Sequence, residues 1–248
     1  MGVTHSVLLP AGRWFGLEAQ ITPVPRAQEL VRKYPKRFSF FSNEVPYVAD
    51  ARETIVRYLK RGAIGIGEQK FEVDCDSRWL TQVAEIAQEF SVPVLMHFQY
   101  GKYNTGIERF HKVLEKYPRV NFIGHAQTWW ANIDKNHKQE ALYPKSPVTA
   151  GGISDRLLSD YPNMFGDTSA GSGLNAFTRD EEHMRGFLAR HQDKLLFGSD
   201  CDDHVGFGEK CQGAQILAMI RKLSPSKEVE RKILHGNAKR LLKVPHFA

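Results

Sequence analysis

The 248-residue sequence has few cysteines and no apolar run long enough to cross a membrane. Its three cysteines, Cys75, Cys201 and Cys211, form no Cys-x-x-Cys pair, which argues against a disulfide framework and for a reducing compartment. No apolar stretch approaches the roughly 20 residues that a transmembrane helix needs. The first residues lack the basic start and the small-residue cleavage site of a signal peptide. These absences predict a cytoplasmic protein without a membrane partner.

Several well-known catalytic motifs are absent as well. The sequence has no Gly-x-Ser-x-Gly, no P-loop and no His-Glu-x-x-His. It therefore lacks the signature motifs of serine hydrolases, P-loop nucleotide-binding proteins and zincins. No Gly-x-Gly-x-x-Gly follows the first predicted strand, which argues against an open-sheet fold that binds a dinucleotide. None of the ten histidines has another histidine two residues away.

The charge of the chain is basic but dispersed. The formal net charge is +6 and the pI is about 9.2, while hydrophobic residues make up 42% and charged residues 25% of the chain. This balance is that of an ordinary globular protein. Basic residues are scattered, as in Arg32-Lys33 and Arg221-Lys222, whereas a nucleic-acid footprint needs clustered basic residues interleaved with aromatics. We therefore expect a small-molecule substrate and no nucleic-acid partner.

Each of three apolar runs ends on a residue that can bind a metal ion. Val-Pro-Val-Leu-Met precedes His97, Val-Asn-Phe-Ile-Gly precedes His125, and Leu-Leu-Phe-Gly-Ser precedes Asp200. Such runs are typical of strands buried on both faces, and the carboxyl ends of parallel strands meet at the catalytic edge of an α/β barrel. The pattern predicts a divalent metal site, with zinc favoured, formed by His97, His125 and Asp200. Asp200 could also take a proton from the metal-activated water.

The spacing of the apolar runs predicts a repeated βα pattern. Amphipathic helices such as 79–90 and 107–116 alternate with the runs, and three Tyr-Pro pairs stop helices just before strands. We predict one TIM-type (β/α)8 barrel domain over residues 1–248, although only seven strands are found and this barrel needs eight. We therefore expect either that the first strand is missing from the chain or that the barrel is open, in which case its free edges would favour a homodimer. The predicted strands span residues 4–9, 38–41, 63–68, 94–97, 121–125, 164–167 and 195–200.

Five further residues are candidates for substrate binding. Glu68 ends the third predicted strand, where it could bind substrate, act as a further metal ligand, orient the site or pair with a basic neighbour. A small, polar, glycine-rich loop follows Asp167, and its hydroxyls and amides could hold a carboxylate or carbonyl or form a plain tight turn. Trp129 could form a pocket wall or fill space under the connection that follows it. The five candidates are Glu68, Trp129, Ser169, Ser172 and Asn175.

The motifs together resemble the amidohydrolase superfamily, in its amidohydrolase-related branch that includes aminocarboxymuconate-semialdehyde decarboxylase-like enzymes and lactonases. The resemblance runs from about Gly2 to Val244. It rests on five pieces in this order: Gly62-Ala-Ile-Gly-Ile-Gly-Glu68, Pro93-Val-Leu-Met-His97, Phe122-Ile-Gly-His125, Leu196-Phe-Gly-Ser-Asp200 and Gly236-Asn-Ala-Lys-Arg-Leu-Leu242.

The resemblance implies roles for three of these residues. His97 matches a metal ligand of the family, His125 matches a ligand or catalytic acid/base, and Asp200 matches a ligand that also accepts a proton. The family carries a His-x-His on its first strand, and this sequence has none. That departure agrees with the count of seven strands and leaves two or three metal ligands, where a catalytic zinc site has at least three.

Three functions follow as hypotheses. The first is a metal-dependent hydrolase that cleaves an amide, ester or lactone bond in a small carboxylated or cyclic substrate. The second is a non-oxidative decarboxylase, a carbon–carbon lyase, that uses the same residues. The third is a non-catalytic barrel that has lost its metal ligands.

Overall fold

The computed structural model describes residues 2–12, 23–200 and 210–244. Short strands alternate with helices throughout this part of the chain. Seven strands lie within the described residues, and each overlaps one of the predicted strands, so the α/β fold class is confirmed. They are β1 (Ser6–Leu8), β2 (Phe38–Phe40), β3 (Ile66–Gln69), β4 (Val94–His97), β5 (Phe122–His125), β6 (Met164–Asp167) and β7 (Leu195–Leu196).

Helices connect the strands. A 3-10 turn (Ile107–Arg109) precedes the helix that begins at His111, and a π-helical turn (Lys232–Gly236) joins the helix that ends at Arg231 to the helix that begins at Asn237. The helices are α1 (Val24–Lys33), α2 (Ala51–Leu59), α3 (Arg78–Phe90), α4 (His111–Lys116), α5 (Ala126–Ala131), α6 (Ile153–Asp160), α7 (Ala170–Arg179), α8 (Glu181–Arg190), α9 (Gln212–Leu223), α10 (Lys227–Arg231) and α11 (Asn237–Leu242). None of the described helices is long and apolar enough to span a membrane.

The strands follow one another in sequence order. Strands β1 and β2 pair in parallel, with Ser6 opposite Phe38. A parallel bridge joins Ser42 to Ile66 of β3, and the Ser42 amide donates to the Gly65 carbonyl at 2.8 Å. Strands β3 to β7 form one five-stranded sheet in the order β3-β4-β5-β6-β7. Closure into a barrel is not detected among the described residues.

The chain forms two compact units. Of the described residues, one unit comprises 2–12, 23–97, 102–122 and 241–244, and the other comprises 98–101, 123–200 and 210–240. The prediction of a single domain over residues 1–248 stays a prediction.

Helix α3 shows how the sequence forms the first of these units. The Ser77 side chain caps the helix by accepting from the Leu80 amide at 3.4 Å, and Ser91 ends it in the left-handed conformation with φ of 53°. Capping satisfies a backbone group that the first turn leaves without a helical partner. The apolar side of the helix is buried and comprises Leu80, Val83, Ala84, Ile86 and Ala87.

The second unit packs around aromatic side chains. The Trp130 ring lies 6.0 Å from Phe177 and 6.1 Å from Phe187, measured between ring centroids. Rings at this distance gain from edge-to-face contact beyond the area that they bury. All three side chains are almost completely buried, which fixes α5 against α7 and α8.

One predicted loop is a helix. The glycine-rich segment after Asp167 forms α7 from Ala170 onward, because close packing outweighs the poor helix propensity of glycine. A Cβ at Gly173 would lie 2.0 Å from the Thr168 carbonyl oxygen. Glycine is therefore needed there for close approach, and its presence does not mark a turn.

The cysteines form no disulfide among the described residues. Cys75 and Cys211 are buried and are not bonded to each other, while Cys201 lies outside the described residues. Burial raises the pKa of the Cys75 thiol, which keeps it protonated and unreactive at neutral pH.

Candidate active site and metal centre

Glu68 and His97 form a pair at the carboxyl ends of β3 and β4. The His97 ring donates from Nδ1 to Oε1 of Glu68, and the His97 residue is only 4% exposed. Gly67, directly before Glu68, has φ of 141°, and a Cβ there would lie 2.9 Å from the Leu95 carbonyl oxygen. Glycine at this position therefore permits the close approach of β3 to β4 that brings Glu68 to His97.

His125 ends β5 and contacts Asp167, the last residue of β6. The His125 Nδ1 atom donates to the Asp167 carboxylate at 3.0 Å. Ser169 donates to the same carboxylate oxygen from both its hydroxyl and its amide, the latter at 2.9 Å. Trp130 donates to the Asp167 carbonyl at 2.8 Å. The Asp167 side chain thus fixes the orientation and the tautomer of the His125 ring.

Asp200 lies on the opposite side of the His125 ring from Asp167. Its Oδ2 atom is 3.9 Å from His125 Nε2, and its side chain is 53% exposed. Gly198, two residues before Asp200, lies against Asp167, because a Cβ there would lie 2.2 Å from Asp167 Oδ2. The two carboxylates therefore meet the two nitrogen atoms of one imidazole, one buried and one open to solvent.

Among the described residues, Glu68, His97 and His125 form a group that can hold a metal ion. One ligand atom from each residue lies within 4.8 Å of the other two. Two imidazole nitrogens and one carboxylate oxygen form a donor set that suits zinc, and three protein ligands leave an open position for water or substrate. The donor chemistry thus fits a divalent cation.

The composition of this group differs from the predicted ligand set. His97 and His125 belong to it, and Glu68 supplies the carboxylate that Asp200 was expected to supply. A ligating histidine commonly donates its second ring N–H to a carboxylate, so the Glu68–His97 hydrogen bond also suits an orienting role for Glu68. Metal binding by Asp200 and substrate binding by Glu68 stay predictions.

The other predicted residues occupy different settings. Trp129 is fully buried and stacks on Phe98 with ring centroids 6.2 Å apart, so it fills space beneath β5. The Ser172 hydroxyl is buried on α7 without a hydrogen-bond partner among the described residues. Asn175 donates to the Pro144 carbonyl at 3.1 Å and thereby holds the connection between α5 and α6. The Ser169 hydroxyl lies 3.2 Å from Nδ1 of His125. Substrate binding by these four residues stays a prediction.

Asp167 was not predicted as a site residue. The sequence pattern predicts Asp167 as the last residue of a strand and as the start of the loop that follows, and it assigns Asp167 no role in the site, although Asp167 ends an apolar strand in the same way as His97 and His125. That position at a strand end was the signal that could have identified it.

Strand-end histidines and carboxylates that converge beside parallel strands define the class of protein. This is an α/β protein with a metal-capable group at the carboxyl ends of its strands. A family model described as amidohydrolase matches residues 25–244, and the chain belongs to this family. A search of curated proteins finds no match.

Solved structures show a similar fold at low sequence identity. An uncharacterised TIM-barrel protein from Bordetella bronchiseptica is 16% identical with a TM-score of 0.67, over 98% of this chain and 78% of that one. A probable 2-pyrone-4,6-dicarboxylic acid hydrolase from Acinetobacter baumannii is 14% identical with a TM-score of 0.61, over 97% and 84%. A 2,6-dihydroxybenzoate decarboxylase from Rhizobium is 17% identical with a TM-score of 0.56, over 88% and 75%. These similarities show the fold of a TIM-barrel protein.

Proposed function

We propose that the protein is a metal-dependent hydrolase that cleaves an amide, ester or lactone bond in a small substrate. The observation that carries the proposal is the setting of His125. Its Nδ1 atom is held by Asp167 at 3.0 Å, and its Nε2 atom lies 3.9 Å from the exposed carboxylate of Asp200. The same residue belongs to the metal-capable group.

Glu68, His97 and His125 would hold the cation, and zinc suits their mixed nitrogen and oxygen donors. When bound, a divalent cation supplies Lewis acidity that lowers the pKa of water and polarises a carbonyl.

Asp200 acts as the proton acceptor in this proposal. Its carboxylate is exposed enough to meet both water and substrate, so it can take the proton from the attacking water and return it to the leaving group. Asp167, on the other side of His125, keeps the proton on Nδ1 and stabilises positive character on the ring. That positive character offsets the negative charge that develops on the carbonyl oxygen of the substrate.

A non-oxidative decarboxylase is the second candidate. The fold similarity to the Rhizobium decarboxylase supports it, and the same histidines and carboxylates would serve a substrate that loses carbon dioxide. The two candidates differ in whether solvent oxygen enters the product.

The test compares two compounds that appear in the names of the similar proteins. The purified protein is loaded with Zn²⁺ and incubated in ¹⁸O-water with 2-pyrone-4,6-dicarboxylate or with 2,6-dihydroxybenzoate. We expect pyrone consumption that requires metal, incorporates ¹⁸O and falls by about a hundredfold or more in Asp200→Asn, since general base catalysis contributes that much. Asp160→Asn, at the exposed end of α6, is the matched control and should keep full activity.

Other results contradict the proposal. Carbon dioxide release from 2,6-dihydroxybenzoate without ¹⁸O incorporation would favour the decarboxylase. Activity that survives Asp200→Asn would exclude the proposed proton acceptor. Turnover of neither substrate, together with absence of metal binding, would favour the non-catalytic barrel.

A further inference from the structure

Two lysines surround a tyrosine beside His97. Lys70 directly follows β3, and its Nζ atom lies 5.6 Å from the centroid of the Tyr103 ring. Lys102 lies in the segment after β4, with its Nζ atom 5.0 Å from the same centroid. The Tyr103 ring meets the His97 ring edge to face, with centroids 5.5 Å apart. Two positive charges therefore lie beside a ring that contacts one of the metal-capable histidines.

The contact between Lys70 and the Tyr103 ring is more informative than that of Lys102. Lys102 adjoins Tyr103 in sequence, and the same local contact recurs at Lys33 over Tyr34 and Lys116 over Tyr117, each at 5.3 Å. Lys70 reaches the ring from a different segment of the chain, which neighbouring sequence positions do not explain. Its position therefore reflects how the segments after β3 and β4 pack together.

Neither of the two lysines forms an ion pair within residues 2–12, 23–200 and 210–244, whereas Lys222 and Lys227 each do. The acidic residues of the same segments are engaged elsewhere or face solvent. Asp74 accepts from Thr105 and lies 3.4 Å from Arg109, and Glu72 is exposed. Two like charges near one ring repel each other, and an anion bound near both would offset that repulsion.

The backbone that carries the lysines is fixed by a buried asparagine. Asn104 is 1% exposed, and its side-chain amide donates to the carbonyls of Gln69, at 2.5 Å, and of His97, at 2.8 Å. These bonds tie the ends of β3 and β4 to the residue after Tyr103. The backbone next to the two lysines is thereby fixed before any ligand binds, which lowers the ordering cost of binding.

We infer that Lys70 and Lys102 bind a carboxylate of the substrate, at the end away from the bond that reacts near Glu68 and His97. The substrate class is a small acid that carries one carboxylate in addition to the reacting group, and Tyr103 lies between the two ends. This inference rests on the proposed function for the identity of the reacting end. Lysine suits the task because its ammonium is a compact point charge on a flexible stem.

The experiment measures binding and does not depend on turnover. Zn²⁺-loaded protein is titrated calorimetrically with isophthalate, which has two carboxylates, and with benzoate, which has one. In the double variant Lys70→Gln/Lys102→Gln we expect isophthalate affinity to fall about tenfold, since charge-assisted hydrogen bonds to a carboxylate are lost. Benzoate affinity should change less than about twofold, because its single carboxylate can bind at the metal.

The matched control is Lys33→Gln/Lys116→Gln. It makes the same change in charge and removes the same local lysine–tyrosine contacts at the ends of α1 and α4, and it should leave isophthalate affinity unchanged. Lys70→Arg/Lys102→Arg, which keeps both charges, should retain most of the affinity. Circular dichroism of each variant confirms that it is folded.

Three results would overturn the inference: no isophthalate binding by the unaltered protein, equal affinity in the Lys70/Lys102 variant, or an equal loss in the control. The outcome separates this inference from the proposed function. Lysine-dependent isophthalate binding without hydrolysis of any ester or lactone refutes the hydrolase and keeps the carboxylate site. Hydrolysis at an unchanged rate in the Lys70→Gln/Lys102→Gln variant keeps the hydrolase and refutes the carboxylate site.

Discussion

Two buried histidine–aspartate pairs in residues 123–240 have nearly the same local chemistry and different surroundings. His125 donates to Asp167 at 3.0 Å, and His191 lies 2.6 Å from Asp155. Both histidines and both aspartates are almost completely buried. The contact between imidazole and carboxylate alone therefore does not tell an active-site pair from a structural one.

The second partners of each pair make the difference. Asp155 also accepts from Arg190 at 3.0 Å and from the Gly151 amide at 3.2 Å. Burial alone would raise the pKa of Asp155, but the contacts with His191, Arg190 and Gly151 lower it to about 2. Its charge is used within the protein to join α6 to the end of α8.

The His125 pair faces a second carboxylate. Asp167, unlike Asp155, accepts from no arginine within the described part of the chain, and Ser169 supplies its further contacts. His125 Nε2 faces the exposed Asp200 at 3.9 Å. An imidazole with one side fixed and the other side facing an open acid suits proton transfer. From this comparison we propose that the His191 pair stabilises the fold and that the His125 pair takes part in the reaction. Substitutions test each of these two assignments separately.

Asp155→Asn should have the largest effect on stability. The substitution removes the carboxylate that the buried His191 ring and the half-exposed Arg190 share, and loss of a buried hydrogen-bond partner costs about 2–3 kcal/mol in the free energy of unfolding. Urea denaturation measures this loss. Activity per folded molecule should stay unchanged, and Asp160→Asn on the same helix should unfold like the unaltered protein. A stable Asp155→Asn protein with impaired turnover would reverse the assignment of the two pairs.

Asp167→Asn should lower metal affinity or activity and have a smaller effect on stability than Asp155→Asn. Loss of the carboxylate that orients a ligating or catalytic histidine lowers metal affinity or activity by about 10- to 100-fold. Zinc affinity and the ratio kcat/KM report this effect, while urea denaturation should show a smaller change than in Asp155→Asn. Unaltered zinc affinity together with unaltered kcat/KM would show that Asp167 is merely structural.

The pH dependence of stability should reveal the Asp155 pair. The pKa of Asp155 is lowered to about 2 in the folded protein, from an ordinary value of 3.8. The unfolded chain therefore binds the proton first as the pH falls. The contribution of Asp155 is complete above about pH 4 and is lost between about pH 4 and pH 2. Unfolding followed across this range should show a shallower slope in Asp155→Asn; an identical slope would mean that the pair contributes nothing.

Ser169→Ala should give the smallest change. The hydroxyl donates one hydrogen bond to Asp167, which is worth about 0.5–1.5 kcal/mol, and the Ser169 amide still donates to the same carboxylate. We expect kcat/KM to fall a few-fold, while Ser159→Ala, whose hydroxyl bonds to a backbone carbonyl on α6, should have no effect on it. A loss as large as that of Asp167→Asn would mean that the hydroxyl itself takes part in the reaction.

The strands were predictable because their signal is local. Runs such as 94–97 and 122–125 are apolar up to the histidine that ends each of them, and the structure buries every residue of both strands. Helix α7 was not predictable in the same way, since Gly173 weakens helix propensity and is explained only by its contact with Thr168. Tertiary packing determines that this segment is helical, and the pattern of residues along the sequence carries no information about that packing.

The site was predictable to the level of strand ends. His97 and His125 follow apolar runs, so their convergence could be expected from parallel topology. The pairing of Glu68 with His97 and of Asp167 with His125 depends on distances between strands, which the sequence does not supply. The approach of Lys70 to Tyr103 is a contact between separate segments and was beyond prediction for the same reason.

The zinc content and zinc affinity of the protein and of its variants test the metal centre most directly. Elemental analysis and calorimetric titration should give one Zn²⁺ per chain. Three protein ligands are the minimum for a catalytic zinc site, so affinity should fall at least about tenfold in His97→Asn and in Glu68→Gln. His111→Asn, on α4, is the matched control and should bind like the unaltered protein. Zinc bound with equal affinity in His97→Asn, or no zinc bound by the unaltered protein, would contradict the assignment of Glu68, His97 and His125 as a metal centre.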